Sequence, residues 1–87
     1  MSIGNLSVGS PAPMTAGSSA TIKSSAGALL GFLASVAGTA SIYDATSATN
    51  PIVTALPIAV GWNPIPVAFA TGCFIALTTA AGTAVWV

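Results

Sequence analysis

The sequence predicts an all-β protein: a small antiparallel β-sandwich of jelly-roll-like type with an extended N-terminal arm. First, apolar and small polar residues alternate with a period of two, which is typical of β-strands. Second, Gly, Pro and Asn interrupt these runs at intervals of about 8–12 residues, as in sandwiches and barrels. Third, no segment combines a polar face with a charged last turn, which disfavours helices.

The first element is the arm, residues 1–20, which is rich in Ser, Gly, Pro, Ala and Thr. Its Pro11-Ala12-Pro13 sequence imposes an extended geometry. Ordering about twenty residues costs roughly 20–40 kcal/mol of backbone entropy, so an ordered arm needs contacts along its length. We expect the arm to stay out of the sandwich core and to contact another chain. The alternative is an arm that lies across its own domain.

The second element is the sandwich domain, residues 21–87, in which short alternating runs are separated by turn residues. In one run Cys73, Ile75 and Leu77 alternate with smaller or aromatic residues. Residues 26–37 are the one place where a short buried helix is an alternative, and we interpret them as a strand. Proline cannot donate to a ladder, so Pro57, Pro64 and Pro66 are expected at strand starts, edges or bulges. The predicted strands lie near 20–24, 27–36, 38–45, 51–56, 58–62, 64–69, 72–79 and 82–87.

The composition excludes most chemistry. The 87 residues include one Lys, one Asp and one Cys but no Arg, Glu or His, so charged residues make up 2%, against about 25% in an ordinary domain. General acid–base catalysis and metal binding need groups that this chain lacks, so we predict neither an enzyme nor a cofactor. Nucleic acid is not expected as a partner, because phosphate binding needs clustered Lys or Arg. We interpret Cys73 as a buried apolar residue and expect Lys23 and Asp44 to be solvated separately.

The same composition raises the question of what surrounds the chain. A domain of this size buries only about 60–65% of its unfolded surface, and a net charge near zero promotes association. Lipid is one possible surrounding, because residues 65–87 are uncharged and long enough to span a membrane. Their Thr and Gly content and the lack of flanking Lys or Arg argue against a span. We therefore favour copies of the chain or a protein scaffold, with a small membrane protein as the remaining alternative.

Two aromatic residues are expected to reach the surface. Trp62 precedes Asn63-Pro64 in a predicted loop and Tyr43 precedes Asp44, and both residue types are common anchors of subunit interfaces. A sugar-binding platform would also need polar side chains that fix the hydroxyl groups, and these are scarce. The two aromatic residues and the prolines of the arm and of the Trp62 loop make up the candidate interface: Pro11, Pro13, Tyr43, Trp62 and Pro64.

Residues 61–72 contain a Pro-x-Pro-x-x-Phe-x-Thr-Gly pattern that follows a Trp, and an Ala-Gly-x-Leu-x-Gly-type strand lies earlier, at residues 26–32. This part of the chain resembles small Ala/Gly/Thr-rich virion proteins of tailed bacteriophages, and the Pro-x-Pro-x-x-Phe-x-Thr-Gly pattern is the most specific part of the resemblance. The similarity covers roughly residues 24–87, but these proteins tend to end in a polar or basic residue, whereas this chain ends in Val85-Trp86-Val87.

The resemblance implies a structural protein on the surface of the phage head, of the capsid decoration (cement) or head-spike type. It implies no catalytic residues. The expected partners are further copies of the chain, as a homotrimer at a threefold axis of the capsid, and the major capsid protein or another virion protein. The alternative within the same fold is a host-recognition spike or fibre module that binds cell-surface glycan.

Overall fold

The computed structural model describes residues 10–87, which form eight β-strands. No helix occurs in this part of the chain, and hence none that is long and apolar enough to cross a membrane. The strands are β1 (Ser10–Met14), β2 (Ser19–Lys23), β3 (Gly27–Val36), β4 (Gly38–Tyr43), β5 (Pro51–Ile58), β6 (Gly61–Phe69), β7 (Cys73–Thr78) and β8 (Ala81–Trp86).

The strands form two four-stranded antiparallel sheets. The first sheet has the order β1-β8-β3-β6 and the second has the order β2-β7-β4-β5. Six of the seven connections cross from one sheet to the other, and only β4 and β5 are joined within a sheet. Eight strands wound in this way form a jelly roll, so the predicted fold class is confirmed.

Among residues 10–87, the core lies between the two sheets and contains no buried polar or charged residue. The largest fully buried side chains are Phe32 and Leu29 from the first sheet and Ile42, Ile75 and Cys73 from the second. Complete burial of a side chain such as Leu, Ile or Phe contributes about 1.5–3 kcal/mol. The prediction that Cys73 is a buried apolar residue is confirmed.

The two predicted strands at 58–62 and 64–69 are one strand, β6, and β5 extends to Ile58. The sequence places a break at Asn63-Pro64, but Pro64 pairs with Gly31 inside the ladder. Since β6 is an edge strand, it has a neighbouring strand on one side only. A proline whose nitrogen faces the open side of an edge strand removes no hydrogen bond from the ladder. The turn lies earlier, at Ala59-Val60.

The N-terminal arm also differs from the prediction. Ser10–Met14 forms β1, which pairs with β8 of the same chain, and Met14 is only 8% exposed and belongs to the core. The expectation that residues 1–20 stay out of the core is therefore wrong for β1, because Pro11 and Pro13 fit an edge strand and leave Ala12 and Met14 facing inward. Residues 1–9 lie outside the described part of the chain.

We expect Met14→Ala to lower the free energy of unfolding by about 2–3 kcal/mol, because it removes buried methylene groups from the core. Urea denaturation followed by circular dichroism measures this change. Thr15→Ala is the matched control, since Thr15 is exposed and adjacent. A loss no larger than that of the control would show that β1 does not contribute to the core.

Candidate functional surface

The candidate sites on this molecule are surfaces rather than clefts. Among residues 10–87 no cavity encloses a small molecule, and no three His, Cys, Asp or Glu side chains lie together. The surface that differs most from an ordinary solvated one is the side of the first sheet that faces away from the core.

The register of the first sheet places two rows of residues on this side, because directly paired residues of antiparallel strands share a face. We call these eight residues the outer face. One row consists of Pro13, Thr83, Leu33 and Trp62, and the other of Pro11, Val85, Gly31 and Pro64. None of the eight side chains is charged.

Four of the five candidate interface residues lie on the outer face: Pro11, Pro13, Trp62 and Pro64. The sequence suggested them for separate reasons, and the sheet brings them together. Tyr43 lies on the second sheet, half-buried, and its ring packs edge-on against Phe74 with the ring centroids 5.9 Å apart. The arrangement therefore separates Tyr43 from the other four residues.

Trp62 is the most prominent side chain of the outer face. It lies in β6 rather than in the predicted loop, is 51% exposed, and its ring lies over Gly31. A Cβ atom at position 31 would come within 2.5 Å of the ring and of the Asn63 carbonyl, so only glycine leaves room for this placement. The six-membered ring of the indole therefore packs against the backbone of Gly31, while about half of the side chain stays exposed to solvent.

Asn63 fixes the backbone next to Trp62. Its amide nitrogen donates to the carbonyl oxygens of Ala59, Gly61 and Phe32 at 2.7–3.2 Å, and its amide oxygen accepts the N–H of Ala59 at 3.0 Å. Both ends of the amide are thus engaged with the protein's own backbone. The side chain positions the β5–β6 turn and the start of β6.

One end of the first sheet carries an apolar patch, which we define as Leu33, Val36, Val60 and Trp62. These are four of the six most exposed large apolar side chains in the described structure, with Leu33 51% and Val60 68% exposed. They lie at the same end because Ala34 pairs with Gly61, which follows Val60 directly. Of these four residues, the sequence indicated only Trp62 as a surface residue. The available signal was that β3 is apolar at both alternating positions, so one set has to face outward.

Lys23 lies far from the patch and does not pair with Asp44. Its Nζ atom lies 5.2 Å from the centre of the Trp86 ring and 3.4 Å from the backbone oxygen of Val87. A cation over an indole face is a favourable contact. Lys23 therefore covers Trp86 at the end of β8. The sequence predicted a solvated lysine and did not indicate this contact.

Asp44 binds the β6–β7 connection. Its carboxylate accepts the backbone N–H groups of Ala70, Thr71 and Gly72 at 2.8–3.3 Å. The hydrogen bonds from Thr71 and Ala70 hold the pKa of Asp44 below its usual value. Burial, together with the nearby charge of Asp44, raises the pKa of Cys73 to about 11, so this thiol stays protonated at neutral pH.

Comparison with known proteins gives no match: no family model, no curated protein and no solved structure matches this chain. The support for a function therefore comes from the fold, the outer face and the sequence.

The structure predicts a simple pH dependence, because Asp44 is the chain's only acidic side chain and the chain has no His. A carboxylate whose folded-state pKa is lowered adds stability above its unfolded pKa, and that stability is lost as the pH falls through the folded value. We expect the melting temperature to be constant from about pH 5 to 8 and to fall below about pH 4. Circular dichroism melts across this range measure it.

The same melts distinguish Asp44 from other causes of acid sensitivity. Asp44→Asn should melt at a lower temperature than the wild type at pH 7, and it should lose most of the acid-dependent decline. Ser47→Ala, in the same loop and exposed, is the control and should behave as the wild type. An Asp44→Asn variant that matches the wild type at pH 7 would contradict the role of the carboxylate.

Proposed function

We propose that this chain is a structural virion protein, a capsid decoration (cement) protein that assembles symmetrically, as a homotrimer, on the surface of a phage head. The observation that carries the proposal is the uncharged outer face with its apolar patch. The sequence resemblance to small phage virion proteins supports it independently.

The outer face supports a binding role because exposed apolar patches mark interaction sites on soluble proteins. Leu33 and Trp62 are neighbours across two strands and are each half exposed in a single chain. A protein scaffold or further copies of the chain would remove these side chains from water. A capsid supplies both, since it brings many copies together and presents symmetric attachment points.

The jelly roll is compatible with the proposal but does not decide it, because this architecture serves viral capsid domains, lectins and cupins alike. Glycan binding is less well supported than a structural role. The side-chain amide next to Trp62 in the sequence belongs to Asn63, and its nitrogen and oxygen are both bonded to the protein's own backbone. Asn63 therefore offers no free amide to a sugar stacked on Trp62.

The proposed function is tested on intact virions of the phage that encodes the chain. Electron cryomicroscopy should show the sandwich on the outside of the head, grouped around threefold positions, and an immunoblot should detect the chain in purified particles. Particles that lack the chain would refute the proposal. Density on a tail fibre tip, combined with loss of host adsorption in a deletion mutant, would favour the host-recognition alternative.

Attachment should be insensitive to salt, because one Lys and one Asp leave little charge for ions to screen. We expect particles pelleted at about 50 and 500 mM salt to retain the same amount of the chain, relative to the major capsid protein in the same pellet. Selective release at the higher salt concentration would mean that the attachment depends on charges and not on apolar burial.

A further inference from the structure

We infer that the outer face, together with the apolar patch at its end, is the surface on which a second copy of this chain docks. The inference deepens the proposed function and rests on its symmetric assembly. It names the surface and the occupant, which the proposed function leaves open.

The sheet edges are blocked against the other common way in which β-proteins associate, which is strand addition at an edge. All six prolines of the chain lie in three of the four edge strands, where they lack the N–H needed to extend a ladder. The blocked edges carry Pro11 and Pro13 in β1, Pro51 and Pro57 in β5, and Pro64 and Pro66 in β6.

The fourth edge strand, β2, is short and contains a bulge between Thr21 and Lys23. Edge strand β5 is further distorted at Ala55, whose φ angle of 51° is unusual for alanine and whose N–H bonds to the Ser41 hydroxyl group. Among residues 10–87, every edge strand therefore carries either prolines or a bulge, and contact through a sheet face is favoured.

The area of the face is suitable for such a contact. The four strands of the first sheet contain 5, 6, 10 and 9 residues. At the usual rise per residue and the usual spacing between strands, the four strands cover about 500 Å² in projection. The side chains that protrude from the sheet add to this area. A standard interface takes about 800 Å² from each partner, so a contact that covers the whole face and its rim reaches that class.

Charge favours the chain itself as the occupant. Strand β7 runs from Cys73, beside Lys23 and Asp44, to Thr78, beside the β3–β4 connection where the patch begins. Both charges thus lie at the end of the sandwich opposite the patch. A partner with a charged surface would have to desolvate its charges against this neutral face without compensation. Two copies meet without any such cost and without like-charge repulsion.

The experiment replaces patch residues by lysine in the purified full-length chain. Leu33→Lys and Val60→Lys place a charge on the patch, and Ile52→Lys is the matched control, because Ile52 is an exposed apolar residue on the second sheet. Analytical ultracentrifugation measures the mass of each protein from about 5 to 200 μM, the range in which weak association is visible. Circular dichroism verifies that each variant is folded.

We expect the wild type and Ile52→Lys to sediment as the same oligomer, and both patch variants to dissociate at least tenfold more readily. Val60 lies in a turn, so Val60→Lys decides the question if Leu33→Lys does not fold. Independently, dilution of the wild type should shift the tryptophan emission to longer wavelengths as Trp62 becomes exposed to water. The absence of that shift in an oligomer that dissociates on dilution would overturn the inference.

Other outcomes separate this inference from the proposed function. If both folded patch variants keep the wild-type mass, the surface is wrong, although the virion role stands. If the wild type is a monomer and only the patch variants fail to bind virions, the occupant is a capsid protein, and the inference of a second copy is overturned. If the wild type forms an oligomer through the patch but is missing from virions, the proposed function fails and this inference holds.

Discussion

The closeness of the two sheets is the constraint on which the rest of the structure depends. Six connections cross between the sheets, and the one between β3 and β4 consists of a single residue, Ala37. A Cβ atom at Gly38 would overlap the backbone of Thr78 and Ala80, so a glycine is needed where two crossings meet. The fully buried Ala80 completes this contact. Short crossings of this kind enclose an apolar core without an intrachain disulfide, since Cys73 is the chain's only cysteine.

The two charges serve the opposite end of the sandwich, where the β2–β3 and β6–β7 crossings consist of three residues each. Asp44 binds three successive N–H groups of the β6–β7 connection, and Lys23 lies over Trp86 at the end of β8. Asp44 therefore stabilises a connection between the two sheets, and Lys23 stabilises the last residue of a strand. Because both charges are used there, none remains on the outer face, and its neutrality follows from the same scarcity of charge that dominates the composition.

The period of two was enough to predict the sandwich and most of its strands, with β3 at its observed bounds of 27–36. It failed where proline was taken as a break. Proline was expected to keep Ser10–Met14 out of the sheets and to divide β6, but both are edge strands, in which proline is tolerated. Strand neighbours, and hence edges, cannot be seen in a single sequence. The role of Asp44 was hidden for a similar reason, because its partners are backbone groups 26–28 residues away that no side-chain pattern reveals.

The outer face was only partly predictable because bulges shift the alternation. Leu29 and Phe32 are both buried although they are three residues apart, and the register of β3 shifts between Leu29 and Gly31. A regular alternation from Leu29 would have buried Leu33, whereas the shift turns it outward beside Trp62. The bulge thus places a large apolar residue on the solvent side of a sheet that already has a full core. Prolines interrupt three of the edge strands among residues 10–87, while Leu33 and Trp62 leave apolar area exposed on this uncharged face. A partner of the proposed docking surface would therefore be selected by its shape rather than by its charge.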